Sequence, residues 1–205
     1  MKLTDNSCVK FTELIASDAP VPGGGGASAY VAAVGIALGD MVGELTVGKK
    51  KYAEVEEDIK AAMKKAQELR KEFLECVERD AELFEPLSRA YGIPKDDPSR
   101  DEVMEQCLRD AAYAPLRIYD LCLKAIELQN EFASKGSKLM ISDAATGVTV
   151  LRGAMKGAAV NVKVNTKLMK DRGYAEKINQ HIDETMEKYS KMADDIYESV
   201  YERFN

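Results

Sequence analysis

The chain has one histidine, His181, and four cysteines, Cys8, Cys76, Cys107 and Cys122, none in a Cys-x-x-Cys pair. That scarcity leaves no zinc-ligand spacing, so no metal is expected. It also leaves no Ser/His/Asp or Cys/His set for nucleophilic catalysis. Spread singly along apolar stripes, the cysteines read as reduced core residues, and a cytoplasmic location follows. There is no basic excess: 29 Lys and Arg face 35 Asp and Glu, a net charge of −6, which argues against a general grip on nucleic acid. Alternating β-branched runs bounded by turns are nearly absent, which argues against a sheet. The N-terminus is periodic and no signal peptide is expected. The most apolar stretch, 27–47, includes Asp40 and Glu44, which argues against a membrane span.

What remains is a helical pattern. With 205 residues, 45% apolar and 31% charged, one domain over 1–205 is expected, an all-α bundle of long antiparallel helices. Helices are predicted over about 5–17 (apolar face Cys8, Phe11, Leu14, Ile15), 27–47, 53–91, 99–134, 143–168 and 174–203. Pro86 should kink or split the third, and Pro115 should bend the fourth. Ser99-Arg100-Asp101-Glu102 reads as a capping box, and Ser142 or Asp143 as the cap of the fifth helix. Gly35, Gly39 and Gly43 recur every four residues, and Gly147, Gly153 and Gly157 form a second small-residue row. The two rows should pack against each other or across a dimer axis.

Four groups could carry chemistry. In Pro22-Gly23-Gly24-Gly25-Gly26, glycines before a helix can aim free N–H groups at an anion or a polar ring. A dinucleotide fingerprint would need a preceding strand, and a P-loop a Gly-Lys-Ser/Thr; neither is present. A flexible linker or tight packing is the competing explanation. Lys49-Lys50-Lys51-Tyr52 is a local positive patch, or simply a favourable helix C-terminus. Asp80 and Asp143 are carboxylates in semi-apolar settings, suited to proton transfer or cation stabilisation, or else a solvated face and a cap. Asn161 and Asn165 share one helical face and want amide-like partners, from a ligand or another helix. His181, beside Gln180 and Asp183, belongs on a solvated face.

Taken together and in order, several segments resemble the cyclodeaminase/cyclohydrolase family. They are Ala19-Pro20-Val21-Pro22-Gly23-Gly24-Gly25-Gly26, Met41-Val42, Leu45-Thr46, Gly48-Lys49-Lys50-Lys51-Tyr52, Asp80-Ala81-Glu82-Leu83-Phe84, Ile93-Pro94-Lys95, Ser142-Asp143 and Gly157 to Asn165. Two positions depart from the family pattern: Gly26 stands where a Ser is usual, and Ser137 follows Gly136 where an Asn is frequent. The resemblance implies a helical homodimer that binds a reduced folate without metal or redox cofactor and acts on the one-carbon bridge between its nitrogens 5 and 10. It implies a methenyltetrahydrofolate cyclohydrolase, favoured here because the chain carries no transferase half, or alternatively a formimidoyltetrahydrofolate cyclodeaminase that releases ammonia. A helical interaction module without catalysis is the third possibility. On this resemblance, Asp80 and Asp143 are the catalytic candidates. Pro22, Gly23, Gly24, Gly25, Lys49, Lys50, Tyr52, Phe84, Asn161 and Asn165 are the substrate-binding candidates, with Lys49 to Lys51 meeting the glutamate tail.

Overall fold

The computed structural model describes residues 2–205, and no strand occurs among them. Its helices are α1 (Cys8–Ile15), α2 (Gly24–Glu44), α3 (Glu56–Ala90), α4 (Arg100–Lys135), α5 (Ile141–Leu168) and α6 (Arg172–Tyr201). α2 and α5 run antiparallel as the central pair, α3 flanks α2, α6 flanks α5, and α4 packs against all four. By length and composition α2 could cross a membrane, with a mean hydropathy of 1.4 over its most apolar window. That window is 56% buried inside the fold, so much of its apolar surface is used in packing.

The small residues explain how the central pair closes. A Cβ on Gly35 would lie 3.0 Å from the carbonyl oxygen of Gly147, and one on Gly147 would lie 2.6 Å from that of Gly35. The two backbones therefore touch, as the two glycine rows predict. α4 drives Gln129 into the same seam. This side chain is fully buried and donates from Nε2 to the Gly35 carbonyl at 2.9 Å. Gly39 and Gly147 leave the room for it, since a Cβ there would stand 2.4 Å from Gln129 Oε1 or 2.1 Å from Nε2.

Several local expectations are corrected. α2 begins at Gly24, not 27, so the glycine run is the helix's first turn and not a loop. In α1 only Phe11 of the predicted face is buried; Ser7 caps the helix by accepting from Lys10 N at 3.1 Å. Pro86 and Pro115 lie inside uninterrupted α3 and α4, because each proline removes one hydrogen bond from a helix fixed by packing on both sides. Ser99 makes no capping bond. Its hydroxyl donates to Asp97 Oδ1 at 2.7 Å, a nearer acceptor than anything in the first turn. Ser142 and Asp143 lie within the first turn of α5 and cap nothing; Met140 precedes the helix. Cys76 and Cys122 are core residues, whereas Cys8 is exposed and Cys107 partly so. His181 is exposed and pairs with Asp120 at 2.7 Å.

The seam is testable. Gly147→Ala forces Gln129 and the α2 backbone apart, and should cost about 1–3 kcal/mol, the range for an overpacked interior. A urea midpoint equal to that of the unchanged chain would show that the contact is not tight.

Candidate active site

The first turn of α2 is built around a carboxylate. Gly23 is the N-cap in extended conformation, and the following N–H groups have no intrahelical acceptor. Asp80 on α3 fills that position: its Oδ2 accepts from Gly26 N at 2.8 Å. The approach requires glycine, because a Cβ on Gly25 would sit 2.2 Å from Asp80 Oδ1 and one on Gly24 would sit 2.9 Å from Asn161 Nδ2. The anion anticipated at the glycine turn is therefore one the protein supplies.

Two effects compete at Asp80. Burial disfavours its ionised form, and the Gly26 N–H favours it. Burial is the larger, and the carboxyl is pushed up to about 6. A carboxylate in that range is more basic than an ordinary one and changes charge just below neutral pH.

On α5, Asn161 donates to its own Gly157 carbonyl at 2.9 Å, and Asn165 donates to the Ala111 carbonyl of α4 at 3.0 Å. Both amide N–H groups are thus used internally. Neither amide oxygen has a donor among the described residues, so both are available to a ligand's N–H groups. The cavity between these side chains is about 100 Å³ and is lined also by Gly23, Gly24, Gly25 and Phe84. Pro20, Val21, Ala111, Pro115 and Val164 complete it. Pro22 lies beneath the turn, buried against Gly26 and off the cavity wall; the Val21–Pro22 peptide is cis. Ala111 and Pro115 carried no signal beyond a proline set in an alanine-rich helical stretch.

Lys49, Lys50, Tyr52 and Asp143 lie elsewhere. They gather where α2 ends and α5 begins, the opposite end of the central pair. The 18 residue-to-residue steps of α5 from Asp143 to Asn161 span about 27 Å at the helical rise. This second cluster is itself well built. Thr46, 1% exposed, accepts from Ser137 N through Oγ1 at 2.8 Å. Ser137, also 1% exposed, holds Lys49 Nζ at 3.4 Å. Tyr52 Oη accepts from Lys138 N at 3.0 Å, and that N–H is the main reason its phenol is more acidic than usual. Asp143 is partly buried, and its N–H bonds the Met140 carbonyl.

The comparisons with known proteins agree with one another. The sequence profile of the formiminotransferase-cyclodeaminase family matches residues 7–184. A methenyltetrahydrofolate cyclohydrolase from Methylorubrum extorquens is 37% identical over 95% of this chain and 96% of its own length. The formimidoyltransferase-cyclodeaminase of Mus musculus is 27% identical over 93% of this chain, which spans only 36% of that longer protein. The crystal structure of a formiminotetrahydrofolate cyclodeaminase from Thermotoga maritima superposes with a TM-score of 0.82, covering 98% of this chain and 96% of that one at 24% identity; it shares the fold.

The glycine turn should be sharply graded. Gly25→Ala displaces Asp80 and should weaken the fold and the pocket together. Gly26→Ser should be tolerated, because its Cβ meets nothing closer than 3.6 Å and stands 3.8 Å from Asp80 Oδ2. Equal tolerance at both positions would refute this geometry. Linkage gives a second check. The folded pKa of Asp80, about 6, lies above the ordinary 3.8, so its ionisation weakens folding as pH rises from about 4 to 6, with no further change above. Asp80→Asn should therefore gain melting temperature relative to the unchanged chain across that window. A constant difference would show that Asp80 is not desolvated.

Proposed function

The chain belongs to the formiminotransferase-cyclodeaminase family, and we propose that it is a methenyltetrahydrofolate cyclohydrolase, hydrolysing the 5,10-methenyl bridge to 10-formyltetrahydrofolate. The observation that carries the chemistry is Asp80, a desolvated carboxylate on the rim of a cavity with two amide oxygens free to accept. The methenyl carbon carries an amidinium-like positive charge shared by nitrogens 5 and 10. An anion beside it stabilises that charge and takes a proton from water as the oxygen adds. The same proton then goes to nitrogen 5 and the bond from that nitrogen to carbon breaks; the carbinolamine hydroxyl gives up its remaining proton to the carboxylate, the formyl group is left on nitrogen 10, and one proton is released in all. Asn161 and Asn165 accept from N–H groups of the pterin, and Phe84 packs on its ring. The Methylorubrum relative, with the higher identity over nearly its whole length, favours hydrolysis over deamination. The reaction as written uses only side chains of this chain, water and the folate, and is assigned to the cytosol.

Asp80 must be ionised to act as the base. kcat/KM should fall below about pH 6 with unit slope and be flat above it. Asp80→Asn should lose about 10²- to 10⁴-fold, the usual worth of a positioned acid–base group. Loss of methenyl absorbance and ammonia release from the formimidoyl compound should be followed side by side. Ammonia release as the main activity would replace hydrolysis by deamination, and full turnover by the Asn variant would remove Asp80 from the mechanism.

A homodimer belongs to the same proposal. Before Glu44, α2 has one charged residue, Asp40, and it is buried. The outward stripe of α2 holds Val31 (42% exposed), Val34 (45%) and Met41 (45%), with Leu38 between them. On α5, Val160 and Val164 are 62% and 55% exposed. Uncharged apolar residues in a row on the central helix pair suit a second copy of the same face. Sedimentation should give a dimer, and Val34→Glu should shift it to monomer; a monomeric unchanged chain would exclude this arrangement.

A further inference from the structure

We propose that Pro115 is a positioning residue of the pocket: it withholds a helical hydrogen bond from the Ala111 carbonyl, and that carbonyl then fixes the Asn165 amide with its oxygen toward the substrate. This rests on the folate chemistry proposed above. Pro115 lies inside α4, four residues after Ala111, and both are buried. In an unbroken ladder the Ala111 carbonyl would accept from the N–H of residue 115, and proline has none. A carbonyl as buried as this one, on a residue 4% exposed, needs another partner. Asn165 supplies it from α5, donating from Nδ2 at 3.0 Å. The proline that interrupts one helix thus creates the acceptor that binds a side chain of the other.

The same nitrogen also donates to the Asn161 carbonyl at 3.1 Å. Both of its hydrogens are therefore spent on carbonyls. Turning the amide over would lose both bonds and set its oxygen against two carbonyl oxygens. Asn165 is 6% exposed, so water could not make good the loss. Its Oδ1 is held on the cavity side, where the residue forms part of the wall. Asn161 lacks this double hold. Its Nδ2 donates only to the Gly157 carbonyl at 2.9 Å, which the α5 ladder already serves. Of the two amides, Asn165 is the one whose orientation the fold dictates, and Pro115 is the reason a carbonyl in need of a donor stands beside it. A fixed acceptor selects a substrate edge that carries N–H. It rejects an edge that presents an acceptor there, because two acceptors would then face each other out of water.

Two substitutions restore the missing N–H. Pro115→Ala removes most of the ring, and Pro115→Val keeps a side chain of similar volume. With residue 115 bonded to the Ala111 carbonyl, only the Asn161 carbonyl still holds the Asn165 amide, which is then free to turn. Both variants should raise KM for the methenyl compound by about 3- to 10-fold, the worth of about one hydrogen bond, with a smaller change in kcat. In an Asn165→Ala background neither should raise it further, because the amide they act through is gone. An unchanged KM in Pro115→Val, or effects that add to that of Asn165→Ala, would show that the proline serves only by its shape and would overturn the proposal. The Asn165 amide also gives a readout independent of turnover. Its pair of nitrogen–proton NMR signals, identified by their loss in Asn165→Ala, should resist exchange with solvent in the unchanged chain and exchange several-fold faster in both Pro115 variants. Equal protection in all three proteins would count against the proposal just as decisively. If the amide signals behave as expected but the unchanged chain does not hydrolyse the methenyl compound, the cyclohydrolase assignment fails and the role of Pro115 stands.

Discussion

Gly35 and Gly147 meet backbone to backbone, and Gln129 enters the space their missing side chains leave. Much of the molecule's arrangement follows from that crossing. It fixes how closely α2 and α5 approach, and so sets Gly24 against Asn161 at one end. It pins α4 to both helices at once, so that Ala111 and Pro115 reach the same cavity. Gln129 Oε1 is buried without a partner, a local cost retained where the amide N–H is needed to bridge the seam.

At the pocket, the same absence of side chains works electrostatically. A helix start offers partial positive charge, and Asp80 takes one of its N–H groups. The favourable bond is outweighed by desolvation, which leaves the carboxyl at about 6. Had the turn been exposed, the N–H would have held the group in the ordinary carboxylate range and it would be a weak base. The apolar residues that line the same cavity, Phe84, Val21 and Val164 among them, belong to the surroundings that bury the carboxylate.

Much of this was legible in the sequence. Glycine spacing in α2 and α5 pointed to close helix contact, and Asp80 in its apolar setting, with Asn161 and Asn165 four residues apart, named three members of the cavity wall. The misreadings have specific causes. Glycine's low helix propensity made Gly24–Gly26 look like a loop, but Asp80 and Asn161 occupy the space a side chain would take, and packing overrode propensity. Ser99 had the right spacing for a capping box, yet Asp97 two residues away competed for its hydroxyl. That Asp143 and Lys49 lie far from Asp80 could not be read at all, because periodicity identifies a helix's faces but not which end of its neighbour each end meets.

The pocket wall on the α2 side is main chain. Its chemistry there is written in N–H groups and carbonyls, which point substitutions leave in place. A side chain at Gly25 would collide with the Asp80 carboxylate, and one at Gly24 would have to displace the Asn161 amide. Gly26 is the exception, since a Cβ there would be in ordinary contact, 3.8 Å from Asp80 Oδ2. Of the three, Gly26 is thus where a hydroxyl-bearing side chain can stand beside the carboxylate with the fold unchanged.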